Sequence, residues 1–242
     1  MGAKCFGEFV GTAVLILLGD GVVANVLLKR SKAEGAGWLA IAAGWAFAVV
    51  FGVYAAIACG SPDAFLNPAA TLGFAVETGD FSKFLPFLVA QMLGAMTGAA
   101  LVWLHFLPHW RQTEDPNLKL ACFSTMPAIR ALGANLLSEI IGTFVLVLCV
   151  TAIFSKKVAV GGPAPALGPF LVGVLIWAIG LSLGATTGYA INPARDLGPR
   201  IMHAILPLGK KVNSGWSYAA VPVFGPLIGA GLAGWFVRLA HI

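Results

Sequence analysis

Charged residues are scarce in this chain: only 10% of its 242 residues are Asp, Glu, Lys or Arg, against roughly 25% in an ordinary soluble domain. With 59% of positions apolar and a mean hydropathy of +0.89, that deficit excludes a water-soluble globular domain and leaves an integral membrane protein. Cysteine is equally sparse. Cys5, Cys59, Cys122 and Cys149 are scattered without a CxxC pair, which excludes a disulfide framework and a cysteine-built metal site. The net charge of +5 is spread over short loops, Lys29, Arg30 and Lys32 forming the densest run, so no basic patch awaits a nucleic acid. Paired catalytic groups are missing too. The only regularly placed acids are Glu8 and Glu139, and an intramembrane enzyme would need paired carboxylates, a Ser/His or Cys/His arrangement or a metal cluster. His105 and His109 have the i, i+4 spacing of a zinc pair, but no third ligand is near and Pro108 precedes the second. The expectation is no catalysis, no metal and no cofactor.

What the chain has is long apolar runs. Stretches of at least about 20 residues, each enough to cross ~30 Å of hydrocarbon as a helix, occur at about 5–28, 37–59, 84–106, 131–154, 166–187 and 217–238. The first is too long for a signal-peptide core and reads as a retained helix. Thirty glycines would weaken a soluble bundle, but in lipid small residues let backbones approach, and Gly7/Gly11, Gly94/Gly98 and Gly225/Gly229 have the Gly-xxx-Gly spacing. Six tightly packed spans are predicted.

The spans fall into two copies of one unit. Gly7-Glu8-Phe9-Val10-Gly11-Thr12 is echoed by Ser138-Glu139-Ile140-Ile141-Gly142-Thr143, an offset of 131 residues that Gly94 and Gly98 repeat as Gly225 and Gly229. Each copy, about 1–110 and 131–242, holds three spans, so the second must enter the membrane from the opposite side. Each also holds an Asn-Pro-Ala triplet: Asn67-Pro68-Ala69 and Asn192-Pro193-Ala194. The proline suits the first turn of a helix, where its missing N–H costs nothing, and the asparagine suits the cap before it. About ten apolar residues follow each triplet, a helix of ~15 Å, or half a membrane. Inverted copies bring such half-helices together tip to tip near the midplane, where irregular backbone is tolerated only when protein buries it or water reaches it. The predicted architecture is an all-α membrane protein of six transmembrane helices and two re-entrant half-helices.

In its two triplets, its paired Glu-x-x-Gly-Thr elements and the Asn-Pro-Ala-Arg extension ending at Arg195, the chain resembles the major intrinsic protein family, the aquaporins and aquaglyceroporins, over essentially its whole length. The resemblance implies one aquaporin-like channel domain over 1–242, a homotetramer with a pore through every subunit, a cell-membrane location and cytoplasmic termini. Counting Lys and Arg by itself would put the termini outside. Within the family the chain resembles the glycerol-conducting branch: Asp196 follows Arg195, and Arg200 and Pro222 also fit that side. Carried over by motif, the constriction comprises Trp45, Gly180, Tyr189 and Arg195. The chain departs from the glycerol pattern in Tyr189 where that pattern has Phe, in Met126 where it has an aromatic, and in a longer approach, Gly60 to Leu66, to the first triplet.

A small polyol has a hydroxyl edge and a hydrocarbon edge, so a selective constriction needs donors on one wall and an apolar corner on the other. Arg195 offers a fixed fork of N–H donors, Trp45 and the Tyr189 ring offer the corner, and Gly180 keeps the opening wide. Glycerol and other small neutral solutes (water, dihydroxyacetone, urea, hydrogen peroxide, lactic acid) are the expected partners; a predominantly water-selective pore is the alternative. Glu8, Glu139 and Asp196 read as structural supports, the first two pinning the re-entrant loops. Asp20 has no partner identifiable in the sequence, and both a helix-contact and a vestibule role stay open.

Overall fold

The computed structural model describes residues 1–242 and is entirely helical. Helices α1 (Gly2–Leu27), α2 (Trp38–Ala58), α4 (Phe84–His105), α7 (Leu132–Phe154) and α10 (Ala220–Ala240) are long and apolar enough to cross a membrane. The sixth expected span, α8 (Leu167–Ser182), has only 16 residues, a rise of ~24 Å. It stops early because Gly184-Ala185-Thr186 tightens into a 3-10 turn and Gly188 takes a φ of 83°, which carries the chain inward toward the second triplet. Between the spans lie α3 (Pro68–Thr78) and α9 (Pro193–Ile205), the two short helices that begin at the triplets, at 11 and 13 residues.

Because the spans are apolar all round, hydrophobicity does not choose the face that packs; side-chain size does. A Cβ on Gly98 would lie 2.5 Å from the Ala13 carbonyl oxygen of α1, and one on Gly225 would lie 2.6 Å from the Glu139 Cβ of α7. The repeated glycines therefore seat α4 on α1 and α10 on α7, within one chain. Phe47, Phe51, Leu93, Phe224 and Trp235 point outward and stay exposed, an apolar exterior suited to lipid.

The pairing of helices follows the repeat. In the first half α1 packs on α2 and α4, and in the second α7 packs on α8 and α10. The half-helices cross over: α3 packs on α10 and α9 on α4, each against the last span of the other half. Two further short helices in the 106–130 connector, α5 (Leu107–Gln112) and α6 (Pro116–Ala121), have no counterpart in the hydropathy pattern. They tie the connector across one end of the bundle. The Lys29 amide donates to Thr113 Oγ1 at 3.0 Å, and the Lys119 ammonium donates to the Leu208 carbonyl at 2.8 Å. Burial there, with Lys210 nearby, lowers the Lys119 pKa.

Candidate functional site

Each triplet does locally what its residue types dictate. Asn67 and Asn192 sit at the N-caps of α3 and α9 in extended backbone, with Pro68 and Pro193 in the first turn. The Asn67 Oδ1 accepts from the Ala69 amide at 2.8 Å, and the Asn192 Oδ1 accepts from the Ala194 and Arg195 amides at 3.0 and 3.2 Å. Their Nδ2 groups reach across the repeat. Asn67 donates to the Ile191 carbonyl and Asn192 to the Leu66 carbonyl, both at 2.8 Å, so the tips of the two half-helices are cross-linked. Each amide keeps a second N–H that neither bond uses.

The loops before the triplets adopt backbone that side chains rarely take. Ala64 and Leu66 have φ of 42° and 53°, and Tyr189 and Ile191, their counterparts in the second copy, have 36° and 41°. For leucine and isoleucine this is sterically unfavourable and persists only when the surroundings hold it. The holding groups are the two buried glutamates. Glu8 accepts from the Phe65 amide (3.0 Å), the Leu66 amide (2.8 Å), Ser61 Oγ (2.7 Å) and Gln91 Nε2 (2.8 Å). Glu139 accepts from the Ala190 amide (3.0 Å), the Ile191 amide (2.8 Å) and Thr187 Oγ1 (2.6 Å). The matched hydroxyls Ser61 and Thr187 are part of this device and escaped the sequence reading, although a hydroxyl shortly before each triplet was there to be seen.

A cavity of about 380 Å³ runs beside the cross-linked tips, and 19 of its 25 lining residues are hydrophobic. Asn67, Asn192 and Arg195 contribute polar groups to its wall, and Trp45 and Tyr189 line it alongside Leu15, Val49, Phe74 and Val147. The Arg195 guanidinium carbon lies 4.0 Å from the centre of the Trp45 ring. Three of the four residues named for the constriction thus meet in one cavity.

Gly180 stands behind it. A Cβ there would lie 3.0 Å from the Tyr189 hydroxyl oxygen and 3.1 Å from Cζ, so the missing side chain makes room for the tyrosine and widens the opening only through it. Gly184 accommodates the other end of the same ring. Trp38, which the sequence reading passed over, completes the support: its Nε1 donates to the Gly180 carbonyl at 2.9 Å and its ring meets Tyr189 edge-on at 5.7 Å.

Asp196 does not pair with its neighbour Arg195. It accepts from Arg200 Nε (2.8 Å) and Nη2 (3.0 Å) and from the Thr125 amide and hydroxyl (2.8 and 2.7 Å), and Arg200 also donates to the Thr125 and Ser214 carbonyls. This network fastens the first turn of α9 to the connector and to the α9–α10 loop. Arg195 instead has its nearest carboxylate in Asp20 of α1, 3.6 Å away. Of the two histidines at zinc spacing, His109 engages the Lys29 carbonyl at 2.9 Å and His105 packs edge-on against Phe106.

The sequence profile of the family described as "Major intrinsic protein" matches residues 2–237. A "Probable glycerol uptake facilitator protein" of Thermotoga maritima is 54% identical over 223 residues, 92% of this chain and 92% of that protein. "Glycerol uptake facilitator protein 3" of Lactiplantibacillus plantarum is 54% identical over 231 residues, 95% of this chain and 93% of its own length. Among solved structures, the aquaglyceroporin of Plasmodium falciparum superposes with a TM-score of 0.83 at 28% identity, covering 98% of this chain and 95% of that one.

Proposed function

The chain belongs to the major intrinsic protein family, and from that premise and the geometry of its cavity we propose that it is a passive channel for glycerol and other small uncharged solutes across the cell membrane. The observation that carries the proposal is the meeting, in one mostly apolar cavity, of two unspent asparagine N–H groups with the Arg195 donors and the Trp45 and Tyr189 rings. A polyol passing along it turns hydroxyls to the donors and carbons to the rings, and exchanges water for the channel without a large barrier. Trp45, Gly180, Tyr189 and Arg195 form the selectivity filter in this reading; Asn67, Pro68, Ala69, Asn192, Pro193 and Ala194 form the midpoint; Glu8, Glu139 and Asp196 hold both in place.

Ions are excluded by the same parts. Each half-helix presents at its N-terminus roughly +0.5 of an elementary charge, aimed at the midpoint from either side, and the carboxylate in the cavity lining, Asp63, is already paired with Lys4 and Lys83. Nothing in this chemistry calls for a covalent step, so the chain works as a conduit and not as an enzyme. The assembly that fits is a homotetramer with one pore per subunit and termini in the cytoplasm. The water-selective reading is the less favoured: the relatives at 54% identity are named for glycerol, and an amphipathic filter without a second polar side chain at Gly180 suits a polyol.

The test is stopped-flow light scattering on proteoliposomes of the purified protein. Accelerated glycerol influx with low activation energy, together with negligible ionic conductance, is the expected result. Water flux without glycerol flux would install the alternative, and sizeable ionic current or no flux at all would overturn the channel assignment.

A further inference from the structure

One acid of the membrane-embedded core has no part in the devices described above. Asp20 on α1 has no exposed surface, and neither of its carboxylate oxygens receives a hydrogen bond. The cation it faces is Arg195: Oδ1 lies 3.6 Å from Nη1, a guanidinium nitrogen that is itself buried and lacks a hydrogen-bond acceptor. Buried carboxylates persist where an opposite charge matches them, and the converse holds for a buried guanidinium. Asp196 does not serve Arg195: its oxygens accept from Arg200 and Thr125, and the carboxylate within reach of the Arg195 guanidinium is that of Asp20. Two buried acid–base pairs therefore stand side by side, Asp20 with Arg195 and Asp196 with Arg200, and with all four groups ionised their sum is neutral.

The residue before Asp20 strengthens the point. A Cβ on Gly19 would collide with the Trp45 ring, so consecutive residues of α1 attend to the two filter residues in turn: Gly19 makes space for the tryptophan and Asp20 faces the arginine stacked on it.

We infer that Asp20 is a specificity-determining residue of the channel, the counter-ion that aims the Arg195 guanidinium across Trp45 and cancels its charge at the constriction. The inference rests on the conduit reading given under Proposed function. An unpaired arginine in a narrow apolar passage would act as a point charge that holds anions, because a low dielectric barely weakens its field. Pairing converts it to a dipole of short range. Hydrogen-bonding capacity survives, since a guanidinium carries five N–H groups and only Nη1 faces Asp20. A neutral polyol then meets donors without a net positive field.

The experiment uses the full chain in proteoliposomes and compares wild type, Asp20→Asn, Arg195→Val and the double variant, reading glycerol and water permeability, nitrate flux and thermal unfolding. Asp20→Asn should change the glycerol-to-water ratio by about threefold or more, the scale on which residues of one charge network couple, and should admit nitrate that the wild type rejects. In the Arg195→Val background the same replacement should leave the ratio and nitrate flux unmoved and should recover stability, because it removes a carboxylate left buried and unpaired. An Asp20→Asn protein indistinguishable from wild type in ratio and nitrate flux overturns the inference, as does an equal effect with and without Arg195. Should Asp20→Asn alone fail to fold, folding of the double variant supports the pairing and its failure refutes it. A wild type inert to glycerol would instead sink the conduit reading itself.

Discussion

The Tyr189 hydroxyl oxygen stands 3.0 Å from the point that a Cβ on Gly180 would occupy, so the cavity's width at that end depends on an aromatic ring filling the space that a glycine on α8 leaves. The ring cannot retreat. Trp38 meets it edge-on, Gly184 flanks its other end, and its own backbone is held at a φ of 36° by the Glu139 loop.

Gly180→Val should therefore push Tyr189 into the passage. Overpacking of this kind costs on the order of 1–3 kcal/mol locally, and a change of one or two methylenes at a tight site alters selectivity by about tenfold or more. Stopped-flow measurement should show glycerol permeability falling by that factor while water permeability falls less. Equal losses for both solutes would mean that the residue affects folding or assembly alone.

Tyr189→Phe makes the opposite change. The hydroxyl is buried without a hydrogen-bond partner, so its removal should leave thermal stability the same or raise it by about 1 kcal/mol. The oxygen nearest Gly180 disappears with it, and the ratio of glycerol to water permeability should rise. An unchanged ratio would make the hydroxyl idle in selection.

The loop anchors should be sensitive to charge and not only to shape. Glu8→Gln keeps the side-chain volume but cannot accept on both arms from Ser61, Phe65, Leu66 and Gln91, which all donate. The expected loss is about 3 kcal/mol, two or so charge-assisted bonds at roughly 1.5 kcal/mol each, read as a lower midpoint of thermal unfolding in detergent. Glu139→Gln should follow the same pattern with a smaller effect, since three donors depend on it. Wild-type melting in both variants would show that the strained loops are held by something else.

Arg200→Met would strand Asp196 as an unpaired buried carboxylate, a change that typically costs about 3–5 kcal/mol. Arg200→Lys should recover little, because one ammonium cannot span Asp196 and the Thr125 and Ser214 carbonyls from a single position. The yield and melting temperature of the purified variants check this; a lysine variant as stable as wild type would contradict it.

Much of the architecture was legible because lipid makes the rules local. A span must be apolar for its whole length, and a helix that starts inside the membrane must cap its own amides, so hydropathy and the Asn-Pro dipeptides were enough to place α1, α2, α4, α7 and α10 and the starts of α3 and α9. The repeat added the pairing of Glu8 with Glu139, since two copies of one unit must solve the same loop problem twice. The connector helices α5 and α6 were invisible for the complementary reason: six-residue helices carry no period of their own and form because the chain around them grips them.

The sequence by itself marked the residues that the proposed conduit uses: two capped half-helix starts, one arginine beyond the second of them, and two aromatics, Trp45 and Tyr189, that line the same cavity. Only the tertiary structure decided whom they touch. Asp20 and Arg195 are 175 positions apart, and Arg195 has an acid as its immediate neighbour, yet that neighbour is claimed by Arg200 and the distant acid takes its place. The physical reason is that successive residues of a helix point about 100° apart, so adjacency along the chain separates side chains, while the fold brings Asp20, wholly buried on α1, within 3.6 Å of the Arg195 guanidinium at the cavity wall.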